Sequence, residues 1–125
     1  MKYENSFRKL VVWQNAKKLV GLIYKLTKKF PREEIFGLTS QIRRAAVSVA
    51  ANIAEGSARA NKKEKIQFYL IAKSSLVEVD CLAELSFEQN YFSESDYKQL
   101  LDLINTTAYL SVKFISAAQA QSKPY

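Results

Sequence analysis

The sequence predicts an all-helical protein, a single domain over residues 1–125 built from four long helices. Only three of its 125 residues are glycine and two are proline, while 48% are hydrophobic. Apolar residues recur every three or four positions over four stretches, with no strand-like alternation. Turn-forming residues separate these stretches, which places the helices at about 9–29, 38–56, 62–89 and 94–118.

Helix one combines an apolar stripe with a positively charged face. Val12, Ala16, Leu19 and Ile23 follow the helical step and belong inside. The opposite face carries Lys17, Lys18, Lys25, Lys28 and Lys29. No acidic residue lies between positions 4 and 33 to neutralise them. Lysines act on phosphates as mobile point charges, so this face predicts binding without base recognition.

The connection to helix two contains Pro31, which stops a helix, and Gly37. Its two phenylalanines, Phe30 and Phe36, are expected to plug the end of the bundle. We expect Thr39 or Ser40 to cap the start of helix two. At its other end, Gly56 is placed where a left-handed exit is favourable.

Helix two is predicted to be buried on most sides, with a narrow polar seam. At about 100° per residue, the seam residues share an arc of roughly 80°: Gln41, Arg44, Ser48, Asn52 and Glu55. One interpretation is structural, in which the seam pairs with adjacent helices or subunits and supports assembly. The other makes the seam a ligand or nucleic-acid site. Arg43 lies away from the seam and is expected to join the basic surface.

The turn over residues 57–65 is the best local candidate for an anion site. Asn61, followed three residues later by Glu64, resembles a capping box, so helix three should begin at Lys62. The amides at that helix start and the cations Arg59, Lys62, Lys63 and Lys65 are available for a phosphate cluster. The structural alternative is an ordinary solvated helix start.

The later helices are predicted to serve the core and an interface. Helix three has apolar residues on more than one side, which indicates burial against the bundle and against another subunit. Its aromatic residues, such as Phe68 and Tyr69, fit a core or interface better than base stacking. Ser93 is expected to cap helix four.

The charge is unevenly distributed along the chain. The total is +7. Residues 1–73 hold sixteen Lys and Arg against five Asp and Glu, or +11, and residues 74–125 hold three against seven, or −4. Such asymmetry favours a basic surface that meets phosphates. The alternatives are complementary faces between helices or subunits, and lysines that simply solvate an exposed side.

The composition argues against an enzyme and against bound cofactors. The chain has no histidine, which is the commonest general base and metal ligand. Cys81 is the single cysteine, so no disulfide forms within the chain and a core role is expected. We therefore expect no catalytic residues, no metal and no cofactor. Without a signal peptide or membrane span, the expected location is the cytoplasm.

Helix two contains the pattern Gln-x-x-Arg, Ser-x-x-x-Asn-Ile-Ala-Glu-Gly, which runs from Gln41 to Gly56. On this pattern, its most specific part, the chain resembles the bacterial family of 23S rRNA intervening-sequence proteins from about Phe7 to Leu110. The resemblance implies an antiparallel up-and-down four-helix bundle that assembles into a ring-like homo-oligomer, typically a homopentamer. A related branch serves diversity-generating retroelements as a partner of nucleic acid and reverse transcriptase.

Two non-enzymatic functions follow as hypotheses. The first is a homo-oligomer that binds the RNA or DNA backbone, with a ribosomal RNA association among the options. Its predicted binding residues are Lys17, Lys18, Lys25, Lys28, Lys29, Arg43, Arg59, Lys62 and Lys63. The alternative is an oligomeric scaffold or adaptor for a protein partner. Phosphate contacts weaken steeply with salt and an apolar docking surface does not, which separates the two.

Overall fold

The computed structural model describes residues 6–120, and it consists of four long helices. They are α1 (Val11–Thr27), α2 (Leu38–Ser57), α3 (Lys62–Glu88) and α4 (Glu94–Ala120), with short 3-10 turns at Ser6–Lys9 and Arg32–Glu34. No strand occurs within residues 6–120. The all-helical prediction is confirmed, and each predicted helix boundary lies within two residues of the observed one. The ends of the predicted domain, residues 1–5 and 121–125, fall outside the described part.

The four helices form a bundle in which each packs against its two neighbours. Contacts join α1 to α2, α2 to α3, α3 to α4 and α4 back to α1, and the α2–α3 pair is the most extensive. Neighbours run antiparallel: Lys29, after α1, pairs with Asp96 at the start of α4. At the opposite end, Lys62 at the start of α3 donates to the carbonyl of Gln119 at the end of α4.

All four helices contribute to a single apolar core. Its largest fully buried aliphatic side chains include Leu19, Ile23, Ile42, Ile53 and Leu100. Each of these side chains, when fully buried, contributes about 1.5–3 kcal/mol relative to exposure. The helical spacing in the sequence identified these positions because the stripe on each helix meets the centre of the bundle.

Short-range signals at the helix ends behave as predicted. Asn61 Oδ1 accepts from the Glu64 amide at 3.1 Å, and Ser93 Oγ accepts from the Asp96 amide at 3.0 Å. The end of α3 is closed by Asn90, whose φ of 65° is left-handed. The Tyr91 amide then reaches back to the Ser86 carbonyl at 3.0 Å. This is the pattern of a Schellman termination.

The start of α2 differs from the prediction. The helix begins at Leu38, and its first amide donates to Glu34 Oε1 at 3.1 Å. Ser40 instead donates to the Gly37 carbonyl. Thr39 is buried, and its hydroxyl has no partner among the described residues. Neither predicted residue caps the helix because both already lie inside its first turn. The carboxylate of Glu34, in the preceding turn, accepts from the helix start in their place.

Two further expectations at the ends of α2 were wrong. Phe30 is buried as predicted, but Phe36 is 92% exposed and does not plug the bundle. Gly56 lies within α2 and has no left-handed φ. A Cβ there would meet Tyr69 Cε1 at 2.6 Å, so this glycine permits the close approach of α3.

Helix α2 is also less enclosed than predicted. Its buried side contains residues such as Ile42, Val49 and Ile53. On the outer side, Val47 is 42% exposed and Ala51 is exposed as well. Part of the apolar surface that was predicted to be buried therefore remains exposed to solvent in a single chain.

Candidate functional site

The outer face of α1 presents lysines over its whole length. The five predicted lysines on this helix and just beyond its end are all exposed: Lys17, Lys18, Lys25, Lys28 and Lys29. At about 100° per residue they share an arc of roughly 120°. The helix folds with this side outward because its apolar residues occupy the opposite arc and enter the core.

Few contacts restrain these lysines. The Lys29 ammonium lies 3.4 Å from an Asp96 carboxylate oxygen, but 70% of the Lys29 side chain is exposed. Such a surface pair contributes at most about 1 kcal/mol. Lys17 lies 5.7 Å from the centre of the Trp13 ring, at the border with α2. The face is consequently an exposed positive surface whose lysines have few fixed partners.

Arg43 does not belong to this set as a free cation. Its Nε donates to Thr27 Oγ1 at 2.8 Å, and its guanidinium carbon lies 4.6 Å from the centre of the Tyr24 ring. A planar guanidinium suits this combination of stacking and hydrogen bonding. Arg43, which was expected to join the basic surface, is instead held by these contacts and fastens α2 to the end of α1.

The remaining predicted cations lie at the other end of the bundle. Along α2, the distance from Arg43 to Ser57 is about 21 Å at 1.5 Å per residue. Beyond Ser57, Arg59 is 3.8 Å from a Glu55 carboxylate oxygen and 4.8 Å from the centre of the Phe68 ring. The structure thus divides the predicted residues into an α1 group and a separate group at the α2–α3 turn, which are not one site.

The α2–α3 turn forms a shallow depression of about 720 Å³. Its lining includes Asn61, Lys62, Lys63 and Ile66. Lys65, grouped with these cations in the sequence, points elsewhere and donates to the Ser57 carbonyl at 2.9 Å. It therefore caps the negative end of α2 and does not line the depression.

The polar seam of α2 is divided between internal and exposed residues. Ser48 Oγ and Ser75 Oγ lie 2.8 Å apart and link α2 to α3. Asn52 donates to the Ser48 carbonyl at 2.8 Å, within the same helix. Glu55 lies on the outer side, near Arg59. Gln41 and Arg44 are exposed too, and neither side chain makes a hydrogen bond or ion pair with residues 6–120.

Three cations that the predicted set omitted lie beside the α1 face in the sequence. Arg8 and Lys9 precede the helix, and Arg32 follows it; all three are exposed. Arg8 lies 4.5 Å from the centre of the Phe7 ring. Their positions beside helix one in the sequence were the available signal, and the charge count of the first half already included them.

Acidic groups gather on a different side, between α3 and α4. The pKa of Tyr97 is raised first by burial and then by the charges of Glu84, Asp80 and Glu88. These carboxylates of α3 lie diagonally across the bundle from α1. On α4, by contrast, Asp96 pairs with Lys29, and Asp102 lines a depression together with Lys18. The carboxylates of α3 are thus separated from the lysine face, and two carboxylates of α4 lie close to it.

Two other kinds of site were sought in the same region of the chain. Within residues 6–120, no group of three or more Cys, Asp or Glu side chains is placed to hold a metal ion. None of the described helices is both long and apolar enough to span a membrane.

Comparison with known proteins identifies the family. The family model described as 23S rRNA-intervening sequence protein matches residues 8–113. The chain belongs to this family. A solved structure from Bacteroides thetaiotaomicron, a protein of unknown function from the S23 ribosomal protein family, matches with a TM-score of 0.77. It is 24% identical and covers 84% of this chain and 98% of its own. No curated protein matches. For this member of the 23S rRNA-intervening sequence family, the comparison supports the fold.

Proposed function

We propose that this protein binds the phosphate backbone of nucleic acid, without enzymatic activity or a cofactor, as a homo-oligomer in the cytoplasm. The observation that carries the proposal is the row of exposed lysines on α1, from Lys17 to Lys29, on a helix that has no acidic residue. Cations on one exposed arc contact successive phosphates and release their counterions.

Structured RNA is the favoured polymer. The family is named for intervening sequences of 23S rRNA. Exposed lysines with few fixed partners read neither base edges nor a fixed register, so selectivity rests on the shape of the nucleic acid. The group around Lys63 at the α2–α3 turn is too distant to share one phosphate contact with Lys25, Lys28 and Lys29 at the end of α1. It supplies a second contact point on a long or folded strand.

The test replaces Lys18, Lys25 and Lys28 by glutamine. Their removal lowers the net charge from +7 to +4. A matched control replaces Lys73, Lys98 and Lys113, which are also exposed but lie on α3 and α4. Binding of both variants to a labelled structured RNA and to duplex DNA is measured by fluorescence anisotropy.

We expect the α1 variant to bind about threefold to 150-fold more weakly, since each of the three exposed charge pairs contributes about 0.2–1 kcal/mol. The control variant should retain most of the affinity. Equal losses in the two variants would show a response to total charge alone. A wild-type protein that binds neither polymer at low salt contradicts the proposal.

A second candidate function is an adaptor for a protein partner. The observation that favours it is an apolar stripe on the outer side of α3, where Leu70, Ile71, Val77 and Leu85 are 45–64% exposed. Exposed aliphatic residues at helical spacing are typical of a docking surface. Binding through this stripe would persist in high salt and survive the α1 lysine substitutions.

Self-association is part of the proposal under both functions. The uncovered apolar surfaces on α2 and α3 support it, and the ring-like homopentamer is the arrangement that the family resemblance implies. A ring would repeat the lysine face around one axis and multiply weak phosphate contacts. Light scattering of the purified protein measures the number of 14.3 kDa subunits.

A further inference from the structure

The turn before α2 holds two exposed apolar side chains on a hydrogen-bonded backbone. Phe36 is 92% exposed and Ile35 is 56% exposed. The Gly37 amide donates to the Glu34 carbonyl at 2.9 Å, and Glu34 Oε2 accepts from the Tyr91 hydroxyl at 2.9 Å. These hydrogen bonds fix the backbone on both sides of Phe36, whose ring projects into solvent as a knob, so little further backbone ordering is needed when it binds.

A matching apolar groove lies on the side of the bundle, between α1 and α2. Its volume is about 360 Å³, and it is lined by Phe7, Trp13, Lys17, Val20, Val47, Ala50, Ala51 and Ala54. Three alanines keep the α2 wall low, and the aromatic rings form the opposite wall. Apart from Lys17, every lining residue is apolar, so the groove suits an aromatic side chain.

We propose that Phe36 of one copy inserts into the α1–α2 groove of a second copy. The knob cannot reach the groove of its own chain, because Val47 to Ala54 lie about 15–25 Å along α2 from Gly37. Charge complementarity supports a second copy as the occupant. Glu33, exposed beside the knob, carries the charge opposite to that of Lys17 on the groove.

The contact joins two different surfaces, since the knob lies at one end of the bundle and the groove on its side. Such heterologous contacts form rings when the rotation closes, and otherwise open filaments. The inference deepens the self-association in the proposed function by naming its contact. Of the lysine face it uses only Lys17, which the binding test leaves in place, and its own test contains no nucleic acid.

The first test is light scattering of the Phe36→Ser variant. The side chain touches little within its own chain, so the variant should keep its helical circular dichroism. We expect the oligomer to be lost and the mass to fall to that of one 14.3 kDa chain. Tyr109→Ser, on an aromatic residue 62% exposed on α4, is the matched control and should leave the mass unchanged. An unchanged mass for Phe36→Ser, or a monomeric wild-type protein, overturns the proposal.

A cross-linking test identifies the partner surfaces. In a Cys81→Ser background, one protein carries Ile35→Cys and a second carries Ala51→Cys, which leaves Phe36 in place. All three positions are exposed, including Cys81, for which the expected core role was wrong. A short bismaleimide should join the two proteins when they are mixed, and neither protein to itself. A chain with both substitutions should give a ladder of products. Absence of the mixed product, or equal linkage within each protein alone, contradicts the proposed contact.

Discussion

The same substitution at two glycines is predicted to have opposite effects on stability. A Cβ added to Gly56 would lie 2.6 Å from Tyr69 Cε1 and 2.9 Å from Phe68 Cβ, at the most extensive helix contact of the bundle. A Cβ added to Gly21, on the exposed face of α1, would meet nothing within 4 Å. Both glycines are helical, so alanine is intrinsically favoured at both sites, but less at Gly56, which lies at the end of its helix.

Replacing a helical glycine by alanine stabilises a helix by about 0.5–1 kcal/mol. At Gly21 this is the whole effect. At Gly56 the new methyl forces α3 outward, and overpacking of this kind costs about 1–3 kcal/mol. The gain from helix preference is small beside that cost because Gly56 lies next to the last residue of α2. We expect Gly56→Ala to lower the free energy of unfolding by about 1–2 kcal/mol.

The measurement is urea denaturation followed by far-ultraviolet circular dichroism, at one fixed protein concentration so that assembly contributes equally. The Gly21→Ala protein should unfold at higher urea than the wild type, and the Gly56→Ala protein at lower urea. If Gly56→Ala is as stable as Gly21→Ala, the close approach of α2 and α3 is not what this glycine provides.

Three further predictions concern the helix ends and the seam. Asn90→Ala should destabilise the protein by about 1 kcal/mol because alanine resists a left-handed φ, and Asn90→Gly should not; urea denaturation tests both. Hydrogen bonding to Glu34, and then burial, raise the pKa of Tyr91 above 10.0. The folded state therefore holds this proton more tightly, and its stabilisation is complete below pH 10 and lost as pH rises through the raised pKa. As pH rises above 10, the melting temperature of Tyr91→Phe should therefore fall less than that of the wild-type protein. A double-mutant cycle of Ser48→Ala and Ser75→Ala should give a coupling of about 0.5–1.5 kcal/mol, and additive effects would contradict their hydrogen bond.

Features that depend on neighbouring residues were predictable from the sequence. The helical period of apolar residues determines which side of each helix enters the core, and the four helices follow from it. Asn61 and Ser93 cap their helices because a cap acts over three residues, which a sequence pattern shows directly. The lysine arc of α1 was equally predictable, since it is the complement of the apolar stripe.

Features that depend on distant residues were not predictable. Glu34 caps α2 from a turn held by Tyr91, which is 57 residues away. The sequence predicts that Arg43 joins the basic surface, but packing places its guanidinium against Tyr24 and Thr27. Phe36 resembles a core residue by type, and only the direction of the turn exposes it. In each case tertiary packing decides the environment of a side chain that local spacing leaves open.

The salt dependence of RNA binding tests the central claim most directly. The logarithm of the affinity is plotted against the logarithm of salt concentration for wild-type protein and for the variant with glutamine at Lys18, Lys25 and Lys28. Each lost phosphate contact reduces the slope by about 0.7–0.9, so the variant should lose about 2–3 from the slope per subunit in contact. A wild-type slope near zero, or a slope that these substitutions leave unchanged, would contradict a phosphate-binding face on α1.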